Sequence, residues 1–158
     1  MNRPSRPRTG VDPVLRARAR RRALQAVYAW QISGGNLQQL LAQFAHEQAH
    51  EVADLVYFED LVRGVLAERA GLDAALAPYL DRTVEEVDAI ERAVLRLAAY
   101  ELLHRPDVPY RVVLNEAIEI AKRFGSEHGH TYVNGVLDQA SAEWRVAEVQ
   151  AGRGGGRG

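Results

Sequence analysis

Apolar residues recur along most of the chain at the three- and four-residue spacing of amphipathic helices. The first helical segment begins at Asp12–Pro13, whose residue types suit an N-cap and the first helical position, and Gly34–Gly35 ends it. A second segment begins near Asn36 and a third near Asp54. No stretch alternates apolar and polar residues between turn signals, as a half-buried strand would. The first half of the chain therefore predicts helices alone.

The second half of the chain predicts four more helices. Thr83 and Glu86 have the spacing of a capping box and predict the start of a helix that ends before Pro106. Pro109 and Gly125 are residue types that begin and end the next helix. The four predicted segments span about 72–80, 83–105, 109–124 and 130–147. About seven helices with short connections predict an all-α fold, a helical bundle.

The two ends of the chain differ in composition from this helical region. Residues 1–11 mix arginines with proline, serine and glycine, which predicts a flexible basic arm. Residues 151–158 are mostly glycine and arginine and predict a disordered tail. The region between them, 12–150, has the length of one domain, and a hydrophobic fraction of 47% is enough for a packed core.

Several residue types and patterns are missing from the sequence. It contains no cysteine, which excludes disulfides, thiolate zinc sites and cysteine nucleophiles. No run of about 18 apolar residues predicts a transmembrane helix, and the charged N-terminus lacks the apolar segment of a secretory signal. We therefore expect a cytoplasmic protein that does not contact a membrane.

The net charge of −1 conceals a strong asymmetry. Residues 1–22 hold eight arginines against one acid, Asp12, and carry a charge of +7, whereas the remaining residues carry −8. A basic end on an acidic body is typical of a protein that contacts a polyanion, although a solvated tail without a partner has the same composition.

Five arginines surround the beginning of the first helix: Arg16, Arg18, Arg20, Arg21 and Arg22. On a helical wheel Arg16 and Arg20 project almost to the apolar side, where unpaired charges are not buried. We therefore expect the first two turns to extend beyond the body of the protein. Because each guanidinium can hold phosphate oxygens in pairs, these arginines predict a nucleic-acid contact.

Two histidine motifs raise the possibility of a metal site. His46 and His50 enclose the pattern H-E-x-x-H, in which two histidines of a zinc protease bind the metal and the glutamate is the general base. The pattern lies in a polar stretch where a helix ends, and the chain predicts no sheet to hold a peptide substrate. His128 and His130 flank a glycine and lack an evident third ligand. We expect a solvated helix end and a loop, with no metal ion, cofactor or catalytic residue.

Tyr132 is the aromatic residue that least resembles a core residue. It follows the His128–His130 loop and lies close in sequence to Lys122 and Arg123. A tyrosine beside cationic side chains can stack on an unpaired base, and the same residue can equally belong to the core.

Four strings of the sequence resemble the NusB family: ARRRALQAVYAWQ at 19–31, PYL at 78–80, ERAVLRLAAYEL at 91–102 and DVPYRVVLNEAIEIAKRFGSEHGHTYVNGVLD at 107–138. The resemblance extends from about Arg16 to Ala142. It implies two small helical bundles packed together and no catalytic activity. It also implies binding to the boxA sequence of ribosomal RNA leader transcripts with NusE, a small-subunit ribosomal protein, in an antitermination complex on RNA polymerase.

The resemblance implies two sets of contact residues. The RNA-binding set comprises Arg16, Arg18, Arg20, His128 and Tyr132. The NusE-binding set comprises Tyr79, Glu85 and Glu91. To the RNA-binding set the arginine-rich helix start adds Arg21 and Arg22, and the neighbourhood of the loop adds Lys122 and Thr131. Thr131 stands where many members of the family have a lysine, which removes one expected phosphate contact.

The sequence also suggests two other interpretations. A helical adaptor or homodimer without specific RNA binding would have the same periodicity. The RNA-binding module of a ribosomal-RNA cytosine methyltransferase also resembles this family, but such enzymes need a cofactor-binding α/β domain, which this sequence does not contain.

Overall fold

The computed structural model describes residues 11–47 and 54–157. In these residues it contains seven α-helices, two short 3-10 turns and no strand. The helices are α1 (Pro13–Ser33), α2 (Leu37–Glu47), α3 (Leu55–Leu76), α4 (Ala89–His104), α5 (Tyr110–Phe124), α6 (Gly129–Trp144) and α7 (Val146–Arg157). The 3-10 turns, Ala77–Tyr79 and Val84–Glu86, lie between α3 and α4. The predicted all-α fold is confirmed.

The helices begin and end where local chemistry satisfies their free backbone groups. The Asp12 carboxylate accepts hydrogen bonds from the N–H groups of Val14 and Leu15, at 2.9 and 3.3 Å. The Asp54 carboxylate caps α3 in the same way. Gly34 ends α1 with a φ of 72°, in the left-handed region where a side chain would be strained. These caps confirm the predicted starts of α1 and α3 and the end of α1.

Helix α4 lies at the centre of the molecule. Helices α1, α2 and α3 pack against one another, and so do α4, α5 and α6. The two groups meet because α1 and α3 also pack on α4. Residues 93–102 of α4 are all buried. The fold is therefore two small bundles that share one central helix.

The connection between α3 and α4 differs from the sequence prediction. The separate helix predicted over 72–80 is wrong, because α3 continues through Gly71 to Leu76. A glycine inside a helix costs about 1 kcal/mol, and the burial of Leu72 and Leu76 offsets this cost. The capping box of Thr83 and Glu86 begins the second 3-10 turn, and α4 begins only at Ala89.

The C-terminal end also differs from the prediction. The helix predicted over 130–147 breaks at Arg145, because its guanidinium donates to the carbonyl oxygens of Leu102 and Arg105, at 2.8 and 3.0 Å, at the end of α4. Helix α7 then begins and runs to Arg157, through most of the predicted disordered tail. Its first turns are held by the buried side chain of Val149 and by Glu148. In the described part of the chain, no helix has the length and apolar character needed to cross a membrane.

Candidate nucleic-acid interface

A basic cleft separates α1 from α5. It has a volume of about 400 Å³, and Arg21, Lys122 and Arg123 contribute cations to its walls, beside the carboxylates of Glu116 and Glu119. Partial burial, and then the charge of Arg123, lower the pKa of Arg21 below its ordinary value. Positive charges are therefore crowded at this cleft, a condition that a bound phosphate would relieve. Arg18 and Arg22 are half-buried on the same helix.

Arg20 does not reach this surface. Its side chain is buried, with Nε at 3.1 and 3.0 Å from the two carboxylate oxygens of Glu101 and Nη2 at 2.9 Å from one of them. The Tyr57 hydroxyl also donates to Glu101. Because its guanidinium is enclosed by these groups, Arg20 is not available to RNA, and the prediction that it projects into solvent is wrong.

Arg16 also packs against the body of the protein. Its guanidinium lies 3.8 Å from the centroid of the Tyr57 ring, and its Nε lies 3.4 Å from the Asp54 carboxylate. Only 16% of the side chain is exposed. The first two turns of α1 therefore do not extend beyond the body as predicted. One feature of the sequence indicates that the start of α1 packs against the body of the protein. Glu101 lies in an apolar stretch of α4, and a carboxylate buried there requires a cation as its partner.

The loop between α5 and α6, residues 125–128, is anchored by hydrogen bonds to the buried carboxylate of Glu91. One carboxylate oxygen of Glu91 accepts hydrogen bonds from the backbone N–H and the hydroxyl of Ser126, at 2.9 and 3.2 Å. Gly125 and Gly129 pack so closely on this carboxylate that a Cβ at either position would overlap it. Glu91 is 3% exposed, so the expectation that its carboxylate faces a protein partner is wrong. It fixes the loop that carries His128.

Tyr132 lines a second, smaller cleft at the beginning of α6, which we call the Tyr132 cleft. It has a volume of about 200 Å³ and is also lined by Arg82, Asp88 and His128. The tyrosine is half-buried, and its hydroxyl donates to Asp81 at 3.2 Å. Burial, and then the Asp81 carboxylate, raise the pKa of Tyr132. The ring packs against the core and also borders a cleft, and its stacking on a base stays a prediction.

Two predicted RNA-binding residues beside this cleft, His128 and Thr131, are exposed. Arg82 was not predicted, although its guanidinium lies 4.9 Å from the centroid of the Tyr132 ring. The two residues are 50 positions apart, and no spacing rule brings them together. Only the packing of the connection before α4 against α6 does so.

Tyr79 and Glu85, two of the predicted partner-binding residues, lie on the connection between α3 and α4. The Tyr79 ring meets Trp144 edge to face with centroids 5.8 Å apart, and its hydroxyl donates to Glu143. This hydrogen bond, followed by burial, raises the pKa of Tyr79 to about 12. Glu85 is exposed. Glu85 lines a separate cleft together with Trp30 and Arg92, which Tyr79 does not border.

The H-E-x-x-H motif falls only partly within the structure. His46 is exposed on α2, whereas His50 lies outside the described residues. Among the residues that are described, no three histidine, aspartate or glutamate side chains come together as metal ligands.

Comparisons with known proteins agree with one another. The model of the NusB family matches residues 17–142. Transcription antitermination protein NusB of Xanthomonas axonopodis pv. citri (strain 306) is 81% identical over 144 residues, which cover 91% of each chain. The fold matches NusB of T. maritima with a TM-score of 0.73 at 32% identity, over 80% of this chain and 90% of that one. It also matches a structure of antitermination factors NusB and NusE with double-stranded RNA, with a TM-score of 0.72 at 24% identity, over 78% and 93% of the two chains.

Proposed function

This chain belongs to the NusB family, and on that premise we propose that it binds the boxA element of ribosomal RNA leader transcripts together with NusE. It acts in the cytoplasm, within an antitermination complex on RNA polymerase, and catalyses no reaction. The RNA is single-stranded where it is read, because bases become accessible to stacking only when they are unpaired. A solved NusB and NusE structure contains double-stranded RNA, so the two forms of RNA have to be compared directly.

The observation that carries this proposal is the arrangement of two clefts on either side of one loop. The basic cleft contains Lys122 and Arg123 at the end of α5, and the Tyr132 cleft opens at the beginning of α6. Only the loop 125–128 separates them along the chain. Cations supply phosphate affinity without regard to sequence, and a stacking ring with nearby polar groups supplies discrimination between bases.

The proposed site for NusE comprises Tyr79, Trp144 and Glu143, which contact one another, and the exposed Glu85 further along the same connection. It combines aromatic rings, which often contribute strongly to interfaces, with carboxylates that suit a basic partner. Glu91 is not part of this surface, because it is buried under the loop. Its role is to position the loop.

The test is a fluorescence anisotropy titration of the protein with labelled RNA. The RNAs are a boxA-like single strand, a scrambled strand and a boxA duplex, each with and without purified NusE, at two salt concentrations. We expect preference for the boxA strand, strengthened by NusE and weakened by salt. If about four phosphates are neutralised, the log–log salt slope will be near −3. Equal, weak binding to all three RNAs without an effect of NusE would instead leave a helical adaptor, and light scattering would then test for a homodimer.

A further inference from the structure

Arg82 lies between the proposed RNA-binding and partner-binding surfaces. It follows the first 3-10 turn, and its guanidinium faces the Tyr132 ring at 4.9 Å from the ring centroid. The same guanidinium donates from Nε and Nη2 to the two carboxylate oxygens of Asp81, at 2.7 and 3.0 Å. Asp81 also accepts the Tyr132 hydroxyl. Three exposed or half-exposed side chains therefore form a closed set of contacts at the mouth of the Tyr132 cleft.

These contacts are easily exchanged. The side chains of Arg82 and Asp81 are 43% and 64% exposed, and an exposed ion pair contributes little to stability. The hydrogen bond from Arg82 lowers the pKa of Asp81 below its ordinary value, so the pair is ionised at neutral pH. Another anion that reaches the cleft competes directly with Asp81 for the guanidinium.

We propose that Arg82 is an RNA-binding residue and that the Tyr132 cleft accepts one unpaired nucleotide, whose phosphate replaces Asp81 as the partner of Arg82. This inference rests on the proposed function and assigns a further residue to it. The guanidinium lies near the ring that a base would stack on. Arg82 therefore has to swing aside when the base enters, and a phosphate of the same nucleotide keeps its charge paired.

The walls of the cleft suit a nucleotide better than a simple anion. Asp88 contributes an exposed carboxylate, which repels a free phosphate but accepts a hydrogen bond from the amino group of a base. His128 is exposed on the loop side. Cation, aromatic ring and hydrogen-bond acceptor thus occur together in about 200 Å³, as single-strand recognition requires.

The first arm of the experiment measures binding of the labelled boxA-like strand to Arg82→Ala at several salt concentrations. Loss of one charge-assisted phosphate contact should weaken binding about tenfold and reduce the magnitude of the salt slope by about 0.7. Arg82→Lys should recover part of the affinity and the full slope. The control is Arg63→Ala on α3, since Arg63 is 48% exposed and its Nε lies 3.9 Å from the Glu59 carboxylate; it should bind like the unchanged protein.

The second arm tests the exchange of partners with Asp81→Asn. Releasing Arg82 should strengthen RNA binding about twofold to fivefold. Asp138→Asn on α6 is the matched control, because it removes the same charge from an exposed aspartate that does not line the cleft. In the double variant Arg82→Ala and Asp81→Asn, the gain should disappear.

The outcomes separate this inference from the proposed function. Unchanged or tighter binding by Arg82→Ala, with an unchanged slope, would mean that Arg82 only covers the ring, and would overturn the inference. An equal gain in Asp81→Asn and Asp138→Asn would overturn the exchange of partners. If the unchanged protein does not prefer the boxA-like strand at all, the proposed function fails first.

Discussion

Glu101 is a carboxylate that the protein buries and satisfies completely. It is 3% exposed, and it accepts hydrogen bonds from Arg20 and from the Tyr57 hydroxyl. Burial, and then the Glu101 charge, raise the pKa of Tyr57, so the phenol remains a donor throughout the physiological range. Buried ions of this kind are costly to separate, because removing one partner leaves the other charged and without water.

Replacing Glu101 by alanine should therefore destabilise the protein by about 3–5 kcal/mol. The quantity to measure is the free energy of unfolding in urea, followed by circular dichroism. The control is Glu59→Ala, which breaks an exposed pair with Arg63 at 3.9 Å and should change the free energy by less than about 0.5 kcal/mol. A small effect of Glu101→Ala on the free energy of unfolding would show that the Arg20 guanidinium becomes hydrated when Glu101 is removed.

At the same scale, Tyr132→Ala should weaken binding of the boxA-like strand by about 1–3 kcal/mol, because a stacked base loses its platform. Anisotropy titration measures this change, and urea unfolding separates it from a loss of stability, since the ring also packs on the core. Tyr28→Ala is a suitable control, since Tyr28 is an α1 tyrosine with 37% exposure. Unaltered RNA affinity in Tyr132→Ala would leave the residue with a structural role only.

At the scale of elements, the loop 125–128 is shaped by two glycines as much as by the residues that it presents. Gly125 and Gly129 give the Glu91 carboxylate room to reach Ser126. The capping box in the second 3-10 turn is a comparable device, in which the backbone N–H of Thr83 donates to Glu86 at 3.0 Å. Both devices fix backbone segments that border the Tyr132 cleft.

Gly129→Ala should destabilise the protein by about 1–3 kcal/mol, because the added Cβ overlaps the Glu91 carboxylate. Gly135→Ala in the same helix meets nothing within 4 Å and should stabilise the protein by about 0.4–1 kcal/mol. Thermal unfolding of both variants measures whether each substitution lowers or raises the stability. Equal effects would show that the loop shifts freely away from Glu91.

The capping box also predicts a pH dependence. The backbone N–H of Thr83 lowers the pKa of Glu86, so the folded state binds this proton more weakly than the unfolded state does. The contribution to stability is present above the ordinary glutamate pKa and is lost as pH falls through the lowered value. The difference in unfolding free energy between the unchanged protein and Glu86→Gln should therefore vanish in acid. A difference that persists there would contradict this assignment.

At the scale of the whole molecule, α4 carries three buried charged residues, and two of them connect the two bundles. Arg96 forms a two-point contact with Asp73 of α3, and its Nη1 donates to Gln31 of α1 at 2.9 Å. Glu101 holds α1 from the same helix, and Glu91 holds the loop before α6. One helix thus fixes the relative positions of the basic cleft, the Tyr132 cleft and the connection that carries Tyr79 and Glu85.

Because Glu85 lines neither the basic cleft nor the Tyr132 cleft, Glu85→Lys should weaken NusE binding several-fold and leave RNA binding by the isolated protein unchanged. Glu59→Lys reverses the charge of another exposed carboxylate, on α3, and serves as the control. Titration with each partner separately measures the two affinities. Loss of both in Glu85→Lys would place the residue in a shared site. Glu91→Lys, by contrast, should impair both, since it replaces the carboxylate that holds the loop with a cation.

The sequence by itself determined the helical class, the caps at Asp12 and Asp54 and the ends at Gly34 and Gly125, because these depend on neighbouring residues alone. Its family strings were also local and sufficient to indicate membership of the NusB family. Tertiary structure decided which charged side chains are available. Arg20 and Glu91 are charged residues of the kind that usually lies on a surface, yet both are buried. Each is paired with a residue far away in sequence, Arg20 with Glu101 and Glu91 with Ser126.

Tertiary structure also decided the position of Arg82, which lies beside Tyr132 because two segments distant in sequence pack together. It also explains the connection before α4 and the break at Arg145. Gly71 is a weak local signal that the burial of Leu72 and Leu76 overrides, and Arg145 ends α6 by binding carbonyl groups of another helix. Periodicity specifies which face of a helix is apolar, whereas the partner of a buried charge is specified only when the faces meet.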